Sequence, residues 1–529
     1  MTWGNLSQTW HFVEKWAQTK PEAEALIFEN QRLTWKSFKN HMDSIAKAYL
    51  EAGVQKGDRV ALLSMARTEF PLTYMAAGKV GAVWLGLSPK FTLDELRYLV
   101  GHGQPRVLIA VRDFQGQDLA ATISALRQEF ECLQKVLVIG EPLSGTEGFE
   151  AFTSRPRPNL DDALAERSAS VNPEDEALLL YTSGSTGQPK GVIHTHRSIV
   201  ENIKVQVAKF RMTEKDRMLC HFPINHVAAD TEIGVGSIMA GCALVLMDRF
   251  DPLATLEIIE KEKVTGLGQV PVMFLLEFKE PSFFQRDLSS LTHFLWAGAA
   301  APKIMIDVLD MIRQKTGTLM LTGYGSTETC GFVTYTDPAD DLATLQKTVG
   351  RMADPFELKV VDTGRQEVPD GRVGEIAVRG PFLMKGYYKN PEATAQVIDA
   401  AGWYYTADLG YKDPRGNIIL VGRTSEMYKS GGENVYPREI EELLESHPAV
   451  LFAAVISVPD ELYQEVGWAY IMLKPGQNVG EEDLRELCQD KLANFKVPKR
   501  FFIRPLLPLL ASGKVNKMAL KEEAQGRGG

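Results

Sequence analysis

The sequence predicts an α/β protein: a large N-terminal domain of parallel sheets flanked by helices plus a small β-barrel-like subdomain, followed by a small α+β C-terminal domain. Three observations carry that expectation. From about Arg59, short apolar runs alternate with amphipathic segments, the rhythm of strands and covering helices in a parallel sheet. After about Val349 the runs alternate in polarity, with Asp-Thr-Gly and Pro-Arg-Gly turns between them, which suits a smaller antiparallel unit. The chain has 529 residues, more than one hydrophobic core serves, so two or three domains are expected.

Taken in order, Val60-Ala-Leu-Leu-Ser-Met reads as a strand, residues 70–80 have helical spacing, and Val83-Trp-Leu-Gly-Leu is strand-like. Residues 93–100 are helical and Arg106-Val-Leu-Ile-Ala-Val is another strand. The same rhythm returns at Lys135-Val-Leu-Val-Ile, at Ala243-Leu-Val-Leu-Met and, more weakly, over 264–270. The longest apolar stretch, 233–247, is shorter than the roughly 20 residues a membrane span needs, so it reads as a buried helix turning into a strand. The β unit draws on Glu357-Leu-Lys-Val-Val, Gly374-Glu-Ile-Ala-Val-Arg and Asn417-Ile-Ile-Leu-Val. From Glu426 a helix over 437–447, strands over 452–456 and 468–473, and a helix over 481–492 form the last module. The boundary falls near 422–425, giving domains 1–424 and 425–529.

Hydrophobic residues make up 44% and charged residues 24%, the balance of a soluble globular protein. A net charge of −10 argues against nucleic acid or an anionic membrane surface as the main partner, so an anionic nucleotide would need a locally basic site. The five cysteines (132, 220, 242, 330, 488) include no Cys-x-x-Cys pair, which suggests reduced thiols in a cytoplasmic protein. The first twenty residues lack a charged-then-apolar signal layout.

Residues 181–192 read Tyr-Thr-Ser-Gly-Ser-Thr-Gly-Gln-Pro-Lys-Gly-Val. Gly184, Gly187 and Gly191 permit turns that let N–H groups converge on an anion. Thr182, Ser183, Ser185 and Thr186 add hydroxyls, Lys190 adds a mobile positive charge, and the apolar run 177–180 would anchor the loop as a buried strand. No Gly-Lys-Ser/Thr closes it, so it is not a Walker A motif. A solvated Ser/Gly linker is the plain alternative. Taken whole, the string closely resembles the phosphate loop of the acyl-adenylate-forming superfamily, which contains acyl-CoA synthetases, the adenylation domains of peptide synthetases and beetle luciferases. Later segments extend the resemblance over nearly the whole chain.

Tyr324-Gly-Ser-Thr-Glu328 follows the apolar run 319–321. An aromatic face, a hydroxyl and a carboxylate at a strand end suit a nucleotide, although alone the string reads equally as a polar turn. It matches the superfamily's adenylate motif, and the resemblance implies Tyr324 on adenine with Gly325 beside it, Thr327 on the α-phosphate and Glu328 on Mg²⁺. Gly298, Ala299 and Ala300 match the segment that lines adenine and the acyl group. Asp408 and Arg423 complete the nucleotide site by resemblance, with Asp408 accepting the ribose hydroxyls. Ala407 stands where the superfamily usually has glycine. Residues 422–441 resemble the hinge-and-CoA segment, in which Gly431 and Gly432 would let backbone approach a thiol chain. Ser425 occupies the hinge position, where Asp or Lys is usual. Lys514, in Gly-Lys-Val-Asn-Lys517, matches the C-terminal catalytic lysine, and Lys517 is expected to do little for adenylation. His226, in Phe222-Pro-Ile-Asn-His226, would gate the acyl pocket; a lone His in such a setting is otherwise a core residue.

The resemblance implies carboxylate plus ATP giving acyl-AMP and pyrophosphate, then CoA giving acyl-CoA and AMP. Lys514, Mg²⁺ on Glu328 and the loop amides would neutralise the charge that develops. Gly325 stands where acetyl-CoA synthetases place a tryptophan, and Ala299, Ala300, Gly323 and Gly331 are small as well. With Trp296 and His226 as walls, a medium-length, branched or cyclic acid is expected. A loader of acyl groups onto a carrier protein is the main alternative; a luciferase-like oxygenase or a non-catalytic nucleotide binder is of another class. Val227 after the gate disfavours an amino-acid substrate. No nucleic-acid partner and no membrane span are expected, and a homodimer stays open.

Overall fold

The computed structural model describes residues 6–182, 188–298, 301–509 and 515–527. Among these residues two large sheets form the body. One runs in the order Gly386–Tyr387, Lys190–Thr195, Glu176–Thr182, Val83–Leu87, Arg59–Leu63, Pro105–Val111, Lys135–Ile139, Glu147–Gly148. Its strands are parallel from Glu176–Thr182 onward, and the Glu176–Thr182/Lys190–Thr195 hairpin and the Gly386–Tyr387 edge are antiparallel. Val83–Leu87 is buried at every position, covered on both faces, which is why it reads as an unbroken apolar run.

The other sheet runs Arg351–Met352, Gly331–Tyr335, Leu319–Ser326, His293–Trp296, Gly266–Gln269, Arg217–Cys220, Ala243–Leu246, Glu24–Phe28, Gln31–Thr34. It is parallel from Leu319–Ser326 through Glu24–Phe28 and antiparallel at both ends. Short capped helices connect the strands. Leu93–Gly103, for example, begins at a reciprocal box in which the Thr92 hydroxyl accepts from the Glu95 N–H and the Glu95 carboxylate accepts from the Thr92 N–H.

The apolar stretch 233–247 does pass from helix to strand, but it enters as a π-helix, Ala228–Val235, continues as Gly236–Ala240 and only then becomes the strand Ala243–Leu246. Such widened turns are rare and gather at functional sites. This one starts two residues after His226.

The small β unit is an antiparallel sheet in the order Glu357–Val361, Gly374–Arg379, Tyr404–Lys412, Ile418–Arg423, and no pairing among the described residues closes it into a barrel. The C-terminal unit has its own sheet, Glu433–Val435, Tyr428–Ser430, Gln464–Leu473, Val450–Asp460, with Arg500–Arg504 parallel to Gln464–Leu473. Helices Pro437–Glu445 and Glu481–Lys491 cover it, around a core that includes Tyr428, Ile440, Leu444, Ile471 and Phe501. No helix among the described residues is long and apolar enough to cross a membrane.

One buried carboxyl gives the fold a pH signature. Glu277, on helix Pro271–Phe278, is 1% exposed and accepts from the Gln269 side chain at 2.5 Å; burial pushes its pKa up to about 8. The folded state therefore holds a proton that the unfolded chain releases near its ordinary 4.5. The contribution of this group to stability is greatest below that value and falls by about 1.4 kcal/mol per pH unit until the folded group ionises near 8. Glu277→Gln should flatten this slope, measured as urea midpoints between those pH limits; a slope identical to wild type would contradict it.

Candidate active site

Tyr324 lies near the end of strand Leu319–Ser326, and Asp408 and Arg423 are direct partners on adjacent strands of the small antiparallel sheet. The Tyr324 hydroxyl donates to Asp408 Oδ2 at 2.6 Å and Arg423 Nε donates to Asp408 Oδ1 at 2.7 Å. Asp408 is 7% exposed. Burial, then Asp408, holds the Tyr324 phenol well above its usual range, so it stays a donor. Each Asp408 oxygen has one partner here and retains acceptor capacity for another.

Ala407 has φ +59°, the left-handed region where a side chain costs about 1–2 kcal/mol. Its N–H donates to Glu375 Oε1 at 2.8 Å, and its carbonyl accepts from the Thr424 N–H at 2.8 Å and Thr424 Oγ1 at 3.1 Å, so the strain is held in place from both sides. Ala407→Gly relieves it, less about 0.5–1 kcal/mol of glycine entropy. A small rise in Tm with unchanged nucleotide affinity is expected; a fall in Tm would contradict the strain.

The turn after Tyr324 is held by three donors from three places. The carbonyls of Thr327, Glu328 and Thr329 accept from His194 Nε2 at 2.7 Å, Met384 N at 2.8 Å and Asn202 Nδ2 at 2.6 Å. A carbonyl only accepts, so His194 carries its proton on Nε2, and burial pushes its pKa down to about 4, keeping the ring neutral. Glu328 Oε1 accepts from the Tyr387 hydroxyl at 3.0 Å. Lys190 Nζ stands 5.0 Å from the centre of the Tyr387 ring. Tyr387 pairs with Val192, so Lys190, Val192, His194 and Tyr387 share one face of this sheet edge.

Thr182 and Lys190 are an in-register pair at the neck of the phosphate hairpin, as the anchoring strand requires. Ser183, Gly184, Ser185, Thr186 and Gly187 lie outside the described residues, as do Ala299, Ala300 and Lys514. Around Lys514, Leu509 and Val515 form an antiparallel bridge and the Asn516 N–H donates to the Pro508 carbonyl at 2.8 Å. Gly298 is exposed just past strand His293–Trp296. Gly431 and Gly432, with φ of 60° and 89°, make the turn joining Tyr428–Ser430 to Glu433–Val435, a geometry that calls for glycine at both positions.

His226 is half-buried at the mouth of the π-helix. Its Nδ1 accepts from the Ala228 N–H at 3.1 Å and its ring lies 6.5 Å from Phe222, nearly parallel. The other residues expected at the acyl pocket have packing roles of their own. Trp296 is 2% exposed and packs with Phe274, Phe294, Met305 and Leu309, a different core cluster from the one that holds Phe222, Val227, Leu295 and Tyr324. A Cβ at Gly325 would stand 2.0 Å from the Gly331 carbonyl, one at Gly323 would stand 2.2 Å from the Thr334 carbonyl, and one at Gly331 would stand 2.8 Å from the Glu232 side chain. Gly323 and Gly325 serve the close approach of neighbouring backbone, and Gly331, at φ +112°, faces the Glu232 side chain, so each has a reason to be small besides the expected acyl pocket. Gly325→Ala should therefore cost about 1–3 kcal/mol of stability and lower turnover of short and long acids alike. A selective gain for short acids would favour the pocket-floor role instead.

The chain belongs to the AMP-binding enzyme family: the family's main model matches residues 13–388, and the model of its C-terminal domain matches residues 439–514. It is an AMP-forming acid–thiol ligase. It is 33% identical to the putative acyl-CoA synthetase YngI of Bacillus subtilis, over 97% of this chain and 96% of that one. It is also 33% identical to 3-[(3aS,4S,7aS)-7a-methyl-1,5-dioxo-octahydro-1H-inden-4-yl]propanoyl:CoA ligase of Mycobacterium tuberculosis, over 96% and 97% of the two chains. Among solved structures it is similar to the anthranilate CoA ligase AuaEII in complex with anthranoyl-AMP, with TM-score 0.87, 26% identity and 99% of each chain covered.

Proposed function

We propose that the chain is an ATP-dependent acyl-CoA synthetase that activates a medium-length, branched or cyclic carboxylic acid as its adenylate and passes the acyl group to CoA. The observation that carries this reading is the pair of braced carboxylates: Asp408 between Tyr324 and Arg423, and Glu328 under Tyr387 beside Lys190. In the first step a carboxylate oxygen of the acid attacks the α-phosphorus of ATP and the bond to pyrophosphate breaks. In the second the CoA thiol attacks the acyl carbon, gives up its proton, and AMP leaves.

Asp408 and Arg423 take the ribose, Tyr324, Gly325, Gly298, Ala299 and Ala300 the adenine, and Thr327 the α-phosphate. Thr182 to Gly187 and Lys190 take the pyrophosphate end, Gly431 and Gly432 the pantetheine arm, and His226 gates the acyl group. Glu328 suits Mg²⁺, a hard cation that binds through one or two carboxylates and substrate phosphates, because its carboxylate sits on a fixed turn with Oε1 oriented by a phenol. Mg²⁺ so held would neutralise phosphate charge.

The two half-reactions need two arrangements of a small mobile domain, and the anchors around Ser425 support a pivot there. Thr424 bonds Ala407 of the antiparallel sheet, while Glu426 pairs at 2.7 Å with Lys517 of the last helix, Lys517–Arg527. Ser425 is exposed between them, dividing 1–424 from 425–529. Proline at 425 fixes φ near roughly −65°. Ser425→Pro should keep adenylate formation and slow thioester formation; equal loss of both would move the pivot elsewhere.

Two named relatives act on ring-bearing acids, the indanedione propanoate and anthranilate. That supports the acid class. Each added CH₂ is worth about 0.8 kcal/mol when buried, so kcat/KM should climb a few-fold per carbon until the site fills. A panel from acetate to hexanoate, cyclohexanecarboxylate and benzoate tests this, with CoA or a phosphopantetheinylated carrier protein as acceptor. Acetate as best substrate would overturn the acid class, and transfer to the carrier alone would favour the loader.

A further inference from the structure

We propose that Tyr387, braced by Tyr404, is a positioning residue that aims the Glu328 carboxylate at the metal–nucleotide complex and ties it to the phosphate-loop lysine. The inference rests on the adenylating role argued above and adds residues that no sequence motif pointed to.

Tyr387 belongs to a two-residue strand whose only task in the sheet is to pair with the phosphate hairpin: Tyr387 against Val192 and Gly386 against Ile193. That pairing sets the ring on the same face as Lys190 and His194. From there its hydroxyl reaches Glu328 Oε1 at 3.0 Å, and Lys190 Nζ lies 5.0 Å from the ring centre. One side chain thus touches the loop's cation and the carboxylate of the adenylate turn. Tyr404, 4% exposed on the strand that also carries Asp408, lies near enough to act on the Tyr387 hydroxyl. Glu328 leads the charged groups that act on the Tyr404 hydroxyl, and Tyr387, Tyr324 and Asp408 also act on it. The three phenols are buried: Tyr324 donates to Asp408, Tyr387 donates to Glu328, and Tyr404 feels the charge of both carboxylates. Burial keeps Tyr387 and Tyr404 protonated, so both remain donors.

A glutamate on a turn can otherwise turn about its terminal torsions, and each alternative rotamer would carry the charge away from the phosphates. Pinning Oε1 removes that freedom and leaves Oε2 aimed. The backbone of the same turn is already fixed by His194, Met384 and Asn202, so the Tyr387 hydroxyl completes the restraint at the side chain. Tyr387 acts through Glu328 and has no contact with a reacting atom in this role. Partners that orient a metal-binding carboxylate typically change metal affinity by roughly 10- to 100-fold when removed.

Tyr387→Phe keeps the ring under Lys190 and the strand pairing and removes only the hydroxyl. The experiment measures Mn²⁺ binding by electron paramagnetic resonance in the presence of α,β-methylene-ATP, and binding of the same analogue in EDTA by calorimetry. Mn²⁺ affinity of the ternary complex should fall roughly 10- to 100-fold, with metal-free nucleotide affinity unchanged. Glu328→Gln should show the same loss, and Tyr387→Phe should add nothing in that background, since both act through one carboxylate. Tyr404→Phe should lose less, in the same direction. Unchanged Mn²⁺ affinity, equal weakening with and without metal, or additive losses in the double variant would overturn the positioning role. Wild-type protein that binds no nucleotide would instead overturn the adenylating reading on which it rests.

Discussion

Lys514→Ala should slow adenylate formation by about 10²- to 10³-fold, the range seen when one preorganised charge-stabilising donor is removed from a developing anion. Conversion of supplied acyl-AMP and CoA to thioester should be nearly untouched, because that step transfers no phosphoryl group. Lys514 sits in the Gly-Lys-Val-Asn-Lys string that resembles the superfamily's C-terminal catalytic lysine motif. Leu509 and Val515 form an antiparallel bridge and the Asn516 N–H bonds the Pro508 carbonyl, which orders the chain on both sides of the segment that contains Lys514. On the proposed pivot, a charge carried by the C-terminal unit would serve one orientation and leave in the other. Carboxylate-dependent exchange of pyrophosphate into ATP checks the first step, and thioester formation from synthetic adenylate checks the second. Intact exchange, or equal damage to both steps, would contradict domain alternation.

Lys517→Ala should destabilise the C-terminal unit strongly, by about 3 kcal/mol, the lower end of the cost of breaking a buried pair. Lys517 Nζ sits 2.7 Å from Glu426 and 2.8 Å from Glu441, and the Glu441 side chain is only 6% exposed. Removing the lysine leaves the buried Glu441 with the longer Arg438 pair, at 3.7 Å, and frees Glu426 beside the proposed pivot. Sequence alone marks Lys517 as a neutral neighbour of Lys514, but the structure makes it the clasp that holds helix Lys517–Arg527 to helix Pro437–Glu445 and to the linker. Lys491, exposed at the end of its helix, is the better control. Calorimetry of Lys517→Ala and Lys491→Ala should show a large loss for the first and little for the second. A loss below about 1 kcal/mol at Lys517 would mean that water replaces the clasp.

Much of the fold was legible because buried parallel strands and amphipathic helices carry opposite periodicities. Val83–Leu87, Lys135–Ile139, Glu357–Val361 and Gly374–Arg379 fall where the apolar runs put them. Tyr404–Lys412 was not read as a strand, because the left-handed Ala407 interrupts its alternation where it must bring Asp408 round to Arg423. The π-helix Ala228–Val235 was invisible for another reason: a stretch buried nearly all round has no polar face to reveal its pitch.

At the site, motif residues contiguous in sequence stayed together in space. The residues that orient them did not announce themselves. Tyr387 depends on a register, His194 and Asn202 donate to main-chain carbonyls, and neither relation leaves a mark on residue type. Gly323, Gly325 and Gly331 are legible as small, yet smallness has more than one cause, and at Gly323 and Gly325 the structure supplies one of them, backbone approach.

The most direct measurement is product stoichiometry from one acid that the panel selects, with ATP and Mg²⁺, in the absence and presence of CoA. Without CoA, enzyme-bound acyl-AMP should form with one pyrophosphate released per active site and then stop. With CoA, acyl-CoA, AMP and pyrophosphate should accumulate in equal amounts. ADP and phosphate as products, or AMP release that ignores the acid, would contradict an acyl-adenylate ligase.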